Sequence, residues 1–552
     1  MPSSKRVLIV GGVAGGASCA ARLRRLDETA EIHLFDRGLY VSFANCGLPY
    51  YVGNVIREEQ KLLVATADLF QNRFNIAVHT ETEALSIDRE NRTLRVKDLR
   101  TGQERVEPYD VLVLSPGAGP IRPQVPGIDL DGIFALRTIP DSRKIRDWIE
   151  TKGAKSAVVI GAGFIGLEMA ENLAHRGLHV TLVEKAPHVM PILDPEMAAP
   201  VATKLQANRV TVRVGDGLAG FEKRGDRLAV LTESGAAFET DLVLLAVGVR
   251  PEVSLAKAAG LTLGARGGIV VDEFLTTSDP HIWAVGDAIE IHDLVTGQEA
   301  IVPLAGPANR EGRLAAEAIA GRPRPFRGVQ ATAVCGLFGL TIATTGASER
   351  GLRRVGNIAY EKVYLHPGHH AGYYPGARPI HLKLLFRVPD GRILGAQAIG
   401  EDGTEKRIDV IAMAIQMGAT VFDLEESELC YAPQFGAAKD PVNVAGMIAA
   451  NFLRGDMALA DWDAVPSTSS DVLVVDVREP SEFDTGHLAG ATNLPLSQLR
   501  VRFEELPKDK ELWLCCGVGQ RAYYATRFLM QHGYRAKTLS GGMRTAEALG
   551  KS

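Results

Sequence analysis

Cysteine is scarce in this chain: six in 552 residues, at positions 19, 46, 335, 430, 515 and 516, with no CxxC pair and no ladder of spacings. That excludes a disulfide scaffold and a zinc ribbon, leaves no metal site to expect, and suits a reducing cytoplasm. Neither sign of charge is in excess. With 61 Lys+Arg against 66 Asp+Glu and a formal net charge of -5, there is no basic surplus to hold nucleic acid. Long apolar runs are absent as well. Stretches such as Leu242 to Val247 fall far short of the ~18 residues that a membrane span requires, so no membrane partner is expected. The segment Met1-Pro2-Ser3-Ser4-Lys5-Arg6 leads directly into Val7-Leu8-Ile9-Val10-Gly11-Gly12, a strand and a glycine loop, and is therefore not read as a secretory leader.

What remains is ordinary globular material, 46% hydrophobic and 23% charged, long enough for about three or four domains. Through roughly residue 330, short β-branched runs alternate with amphipathic segments, the α/β pattern of parallel sheets with crossover helices. From Thr332 to Phe452 the texture changes to alternating strands, as in Ile380-His381-Leu382-Lys383-Leu384-Leu385-Phe386, with a helix over Arg407 to Met417. Residues 456–470 are small and polar, with Pro466-Ser467-Thr468-Ser469-Ser470 as the expected linker. A compact module, 471–552, follows.

Two glycine loops carry the first chemistry. In Gly11-Gly12-Val13-Ala14-Gly15-Gly16 a buried strand enters a turn whose backbone can approach a pyrophosphate, and the helix from about Ala14 to Arg25 offers its N-terminal dipole. Val13 replaces the middle glycine, but Asp36 ends the next strand about 20 residues on, where a carboxylate can hold ribose hydroxyls. The second loop, Gly161-Ala162-Gly163-Phe164-Ile165-Gly166, matches GxGxxG fully, and Glu184 closes its following strand. A carboxylate there repels a 2′-phosphate, so NADH is expected rather than NADPH, with Lys185 beside it leaving NADPH possible.

Cys46 stands in Ser42-Phe43-Ala44-Asn45-Cys46-Gly47-Leu48-Pro49-Tyr50 with no partner four residues away. Together with His370-Ala371-Gly372-Tyr373-Tyr374-Pro375-Gly376 and Tyr431-Ala432-Pro433-Gln434-Phe435-Gly436-Ala437-Ala438-Lys439-Asp440-Pro441-Val442-Asn443, this resembles the single-cysteine branch of the pyridine nucleotide-disulfide oxidoreductases, and within it the coenzyme A disulfide and persulfide reductase group. The peroxidases of that branch carry a histidine where Ala14 stands, which argues against peroxide. The resemblance implies an FAD domain over 1–150 and 271–330, an NAD(P) domain over 151–270 and a dimerisation domain over 331–455. Ile282-Trp283-Ala284-Val285-Gly286-Asp287-Ala288 is similar to the second flavin motif, in which Asp287 would hold the ribityl chain, and Gly117, Gly248 and Gly286 count with it as cofactor-binding. Cys46 would cycle between thiolate and oxidised sulfur, with the flavin and a helix terminus lowering its pKa. Tyr373 and Tyr431 of the partner subunit would stabilise or protonate a leaving thiolate. Ser18, Arg22, Arg25, Ser42, Asn45, Asn309 and Lys439 fall where the family contacts coenzyme A, the cations suiting its phosphates; without the resemblance, Arg22 and Arg25 read as a solvated helix face. Cys19, Cys335 and Cys430 read as packed residues.

The terminal module resembles the rhodanese-like domain through Val474-Val475-Asp476-Val477-Arg478-Glu479-Pro480-Ser481-Glu482-Phe483, Gly486-His487-Leu488-Ala489-Gly490-Ala491, and Cys516-Gly517-Val518-Gly519-Gln520-Arg521. N–H groups of such a loop, with a helix behind it, form an anion nest for a thiolate or persulfide on Cys516, closed by Arg521. Six loop residues suit sulfur in this fold, where seven suit phosphate. Cys515, the last strand residue, reads as core.

The expected fold is α/β: two Rossmann-like nucleotide-binding domains, an α+β dimerisation domain and a C-terminal rhodanese-like domain. The expected activity is a homodimeric, FAD- and NADH-dependent reduction of coenzyme A persulfide, polysulfide or coenzyme A disulfide through Cys46. Two alternatives stay open, an NADH oxidase and a flavin redox sensor or sulfur carrier.

Overall fold

The computed structural model describes residues 4–465 and 469–551. The chain forms two compact units, Met1–Pro187 with Arg209–Ala331, and His188–Asn208 with Thr332–Ser552. Among the described residues no helix is long and apolar enough to cross a membrane.

The first unit holds two five-stranded parallel sheets. One runs in the order Ile282–Ala284, Val111–Leu114, Arg6–Val10, Glu31–Phe35, Ala77–His79. Its central strand is apolar on both faces, with Val7, Leu8 and Ile9 buried, as a sheet covered on both sides demands. The second runs Thr211–Val214, His179–Glu184, Ser156–Ile160, Leu242–Leu245, Ile133–Ala135. In both sheets a glycine loop follows the middle strand and opens a helix, Ala14–Arg24 in the first and Phe164–His175 in the second.

In the second unit, an antiparallel sheet ordered Ala333–Leu337, Leu340–Gly346, Ile393–Gly400, Ile380–Arg387, Tyr360–Leu365 is followed by a four-stranded parallel sheet ordered Thr492–Asn493, Val472–Asp476, Glu511–Cys515, Arg535–Thr538. Three features depart from the simplest reading of the sequence. Residues 188–208, expected within the NAD(P) domain, cluster with the antiparallel sheet. Lys383, 0% exposed, explains this: its Nζ donates to Asp194 at 2.7 Å, Glu196 at 2.5 Å and Glu349 at 2.6 Å, and a buried ammonium must sit where its counter-charges are. Burial alone would push Lys383 down, but Glu196, Asp194 and Glu349 hold it above the ordinary lysine range. Burial would likewise raise Glu349, yet Lys383 and Lys362 hold it at about 2. The three carboxylates have the spacing of a cation site, and the ammonium fills it.

The second correction concerns the linker. Met457, Ala460, Trp462 and Val465 are buried, Leu459 bridges in parallel to Thr538, and Trp462 Nε1 donates to Ser540 O at 2.9 Å, so 457–465 is an edge of the terminal module. Of the expected linker, residues 466–468 lie outside the described residues. Third, Cys430 is exposed rather than packed, with Lys406 Nζ 3.9 Å from its sulfur. Cys19, Cys335 and Cys515 are buried, and burial pushes the Cys19 thiol up to about 12.

Lys383→Met is expected to destabilise the second unit by about 3–5 kcal/mol, because it leaves buried carboxylates without their counter-ion. Denaturant unfolding followed in the far ultraviolet checks this; a loss under about 1 kcal/mol would mean that the cluster protonates or hydrates at little cost.

Candidate functional site

Both nucleotide loops turn in the left-handed region where only glycine is unstrained, Gly11 at φ +97° and Gly161 at φ +99°. A Cβ on Gly11 would lie 1.9 Å from Ser115 O, and one on Gly161 would lie 2.3 Å from Ala246 O. Gly16 and Gly166 each pass within 1.9 Å, measured from such a Cβ, of the carbonyl of their own loop's first glycine, which is what lets the helix start hard against the strand. At Gly163 a Cβ would meet nothing within 4 Å. That open face beside a helix N-terminus fits a pyrophosphate.

The acids close both loops in the same way. Gly12 N–H donates to Asp36 Oδ2 at 2.8 Å, and Ala162 N–H donates to Glu184 Oε2 at 2.7 Å. Burial raises the Asp36 carboxyl, offset by the Gly38 and Gly12 N–H groups. Lys185 turns away to Glu233 at 2.9 Å. Val13 precedes the first helix as its N-cap, and Gly15 packs so closely that a Cβ on Gly312 of the helix Ala305–Ile319 would lie 2.2 Å from Gly15 O. Gly117, Gly248 and Gly286 all have positive φ. Gly286 N–H donates to Glu311 at 2.7 Å, and burial pushes Glu311 up to about 7. Asp287 faces Arg137 at 3.6 Å; burial raises its carboxyl while Arg137 opposes the rise.

Cys46 lies in the 3-10 turn Asn45–Gly47, ahead of the helix Leu48–Val52, and its residue is exposed. The protein by itself raises the Cys46 thiol. Surrounding protein reduces hydration of the thiolate, and the Glu168 and Asp287 charges add to that. Glu168, on the helix after the second loop, is pushed up to about 7 by burial and accepts from Tyr50 Oη at 3.2 Å. Neither Glu168 nor Glu311 belongs to a sequence pattern that would have singled it out. Asn45 Oδ1 beside the cysteine is buried without a hydrogen-bond partner among the described residues.

Of the remaining residues, Ser18 donates to Asn309 Oδ1 at 2.5 Å, so these two meet. Arg22 is bound to Glu317 at 2.8 Å, while Arg25 and Lys439 are exposed. Ser42 has φ +46°, and its N–H donates to Gly12 O at 2.7 Å, fastening the cysteine segment to the first loop. In the second unit Tyr373, 76% exposed, shares a 2.6 Å hydrogen bond with Tyr431.

The terminal loop is built on the same plan. Gly519 N–H and Ala522 N–H donate to Cys516 Sγ at 3.2 and 3.4 Å, with the helix Gln520–Gln531 beginning behind. The floor is Gly541-Gly542: a Cβ on Gly542 would lie 2.0 Å from Cys516 O, and Met543 N–H donates to that same carbonyl at 2.8 Å. Arg521 closes the loop but is committed to Glu482, Nη1 to Oε2 at 2.6 Å and Nη2 to Oε1 at 2.7 Å. Glu482 lies in the quoted segment Pro480–Phe483, yet no role for it follows from the sequence.

The sequence matches the family described as pyridine nucleotide-disulphide oxidoreductase over residues 5–312, its dimerisation domain over 332–440 and a rhodanese-like domain over 461–548. It is 36% identical over 442 residues to a coenzyme A disulfide reductase from Staphylococcus epidermidis, covering 80% of this chain and 99% of that protein. The fold is similar to that of reduced Bacillus anthracis CoADR-RHD (TM-score 0.97, 48% identity, 99% of this chain and 98% of that one). It is also similar to a NAD-dependent persulfide reductase from A. fulgidus (TM-score 0.91, 37% identity, 98% and 99%). The two parallel sheets with their glycine loops, the antiparallel sheet and the terminal module thus have their counterparts along nearly the whole chain, and the protein belongs to the pyridine nucleotide-disulphide oxidoreductase family, with a rhodanese-like domain at its C-terminal end.

Proposed function

We propose that this chain is a homodimeric, cytoplasmic reductase that spends NADH, through FAD, on coenzyme A persulfide, polysulfide or coenzyme A disulfide, while its rhodanese-like domain handles sulfane sulfur. The observation that carries the reading is the union in one chain of a lone exposed Cys46, fastened to a nucleotide loop through Ser42, with a second sulfur, Cys516, held under two N–H donors. The relatives named coenzyme A disulfide reductase and persulfide reductase support it.

Asp36 and the loop Gly11–Gly16 suit the adenosine and pyrophosphate of FAD, with Asp287 and Gly286 for its ribityl side. Gly161, Gly163, Gly166 and Glu184 suit NADH, which Glu184 favours over NADPH by its charge. Held by these residues, FAD would supply the two-electron chemistry that links NADH to sulfur. The chain's residues do the rest. Cys46 thiolate attacks a disulfide or persulfide sulfur, the substrate S–S bond breaks, and its electron pair leaves with a thiolate. The paired hydroxyls of Tyr373 and Tyr431, contributed by the partner subunit, offer a proton to that leaving group. Two electrons then free Cys46 again, releasing thiol or sulfide. Lost hydration, Glu168 and Asp287 oppose the Cys46 thiolate, while a backbone N–H and Arg137 favour it. Asn45, with its unpaired oxygen, and Ser18, Arg22, Arg25, Ser42, Asn309 and Lys439 are the proposed coenzyme A contacts. Arg22 must leave, or share, Glu317 to reach a phosphate.

Cys46→Ser should retain FAD absorbance but lose roughly a thousandfold in disulfide and persulfide turnover. Near-parent rates would remove Cys46 from the redox centre. With Glu184→Gln, which deletes the charge and keeps the shape, kcat/KM for NADH should drop about tenfold while the NADPH to NADH ratio climbs; an unmoved ratio speaks against the ribose contact. For the terminal domain, Cys516→Ser should spare reduction of preformed coenzyme A persulfide and impair use of bulky or protein-bound donors, measured as NADH oxidation across a donor-size series. Equal losses for small and large donors would rule out a delivery role. The point variant is preferable to a cut near Ser467, which would strip Trp462 and Val465 of the sheet that buries them.

A further inference from the structure

The mouth of the terminal loop is electrically cancelled. Arg521 is the cation that closes the loop around Cys516, yet both ends of its guanidinium fork are taken by Glu482 at 2.6 and 2.7 Å. Glu482 is fixed from its other side too, since its Oε2 accepts Glu479 N–H at 3.2 Å. The neighbouring Arg478 is likewise spent, on Asp476 at 2.7 Å and Gly486 O at 2.6 Å. Arg544, an exposed residue, gives its backbone N–H to Gly517 O, and after burial its charge is a further cause that lowers the half-buried His366 and His381. Cys516 is only 1% exposed, whereas the Arg521 and Glu482 side chains are 34% and 40% exposed. The cancelled pair therefore stands on the solvent side of the sulfur.

We infer that Glu482 is a specificity-determining residue, which makes Cys516 accept sulfur from persulfides and polysulfides and reject thiosulfate. The inference rests on the sulfurtransferase reading of this loop and names its donor class. Each donor delivers sulfur by the same step. The Cys516 thiolate attacks the outer, sulfane sulfur; the donor S–S bond breaks, and its electron pair leaves with a thiolate from a persulfide or with sulfite from thiosulfate. A new S–S bond remains on Cys516, and no oxidant or reductant is consumed. Thiosulfate brings two negative charges to within a few bonds of the reacting sulfur, so it needs an available cation. A persulfide brings at most one, on the sulfur itself, where the N–H groups of Gly519 and Ala522 already point. With Arg521 neutralised by Glu482, only the second kind of donor is served.

The test uses the full chain carrying Cys46→Ser, so that sulfur uptake reports on Cys516, with cyanide as acceptor and thiocyanate as product. Donors are thiosulfate and the persulfide of an uncharged thiol, with the non-enzymatic rate subtracted. In Glu482→Gln the ratio of thiosulfate to persulfide kcat/KM should rise at least about tenfold, and Glu482→Asp, which keeps the charge, should move it far less. Val518→Lys, at the exposed loop tip, adds a cation without touching the pair and should move the ratio the same way should Glu482→Gln fail to fold. If the Cys46→Ser chain uses the persulfide and neither variant raises the ratio, Glu482 does not set the donor class. If Cys516→Ser uses both donors as well as its parent, the sulfurtransferase reading falls and this inference with it.

Discussion

Three times in this chain a buried parallel strand ends in a glycine turn whose backbone N–H groups face an anion, and both sulfur centres depend on that geometry. Gly12 and Ala162 give their N–H groups to Asp36 and Glu184, and Gly519 and Ala522 give theirs to Cys516. In each an acceptor side chain takes an N–H of the turn: Gly12 and Ala162 stand just ahead of their helix caps, whereas Gly519 is the cap and Ala522 lies in the first helical turn. What differs is the anion. In the first two loops a carboxylate pre-orders the turn and leaves an open face beside it, as at Gly163; in the third the reactive sulfur itself is the acceptor.

The two cysteines sit in different surroundings. Cys516 Sγ accepts the N–H groups of Gly519 and Ala522. Around Cys46 lost hydration and the charges of Glu168 and Asp287 resist a thiolate, opposed in part by a backbone N–H and Arg137. The same low tolerance for unpaired charge governs Lys383. Its ammonium is affordable inside the second unit only because Asp194, Glu196 and Glu349 converge on it.

Local features were legible in the sequence and long-range ones were not. Val7 to Val10 and Val158 to Ile160 announce buried strands, and the glycines that follow announce turns, with positive φ at Gly11 and Gly161. The Cys516 to Arg521 loop likewise needs only adjacent residues. By contrast, nothing local says that the helix Pro195–Ala207 belongs with Lys383, almost two hundred positions away, or that Trp462 in an apparent linker has a partner in Ser540. Arg521 reads as a free cation because its neutralising acid, Glu482, is 39 positions upstream. The thiol of Cys46 is raised first by lost hydration and then by Glu168, more than a hundred positions along the chain, and neither is readable locally.

The packing of the terminal module bears on how sulfur travels. Ser540 Oγ accepts the Tyr364 N–H at 2.8 Å, His366 bonds Thr545 at 2.9 Å, and Tyr364 shares a buried cluster with Trp462, Trp513, Leu539 and Met543. Gly541 lies against this seam, where a Cβ would be 2.8 Å from the Tyr364 side chain, and its neighbour Gly542 is the floor under Cys516. The loop's floor is thus braced by the antiparallel domain, and undocking the module would disturb the nest that holds the sulfur. A module held in this way is poorly suited to swing as a carrier, because motion would cost the hydrogen bonds that keep Cys516 in position.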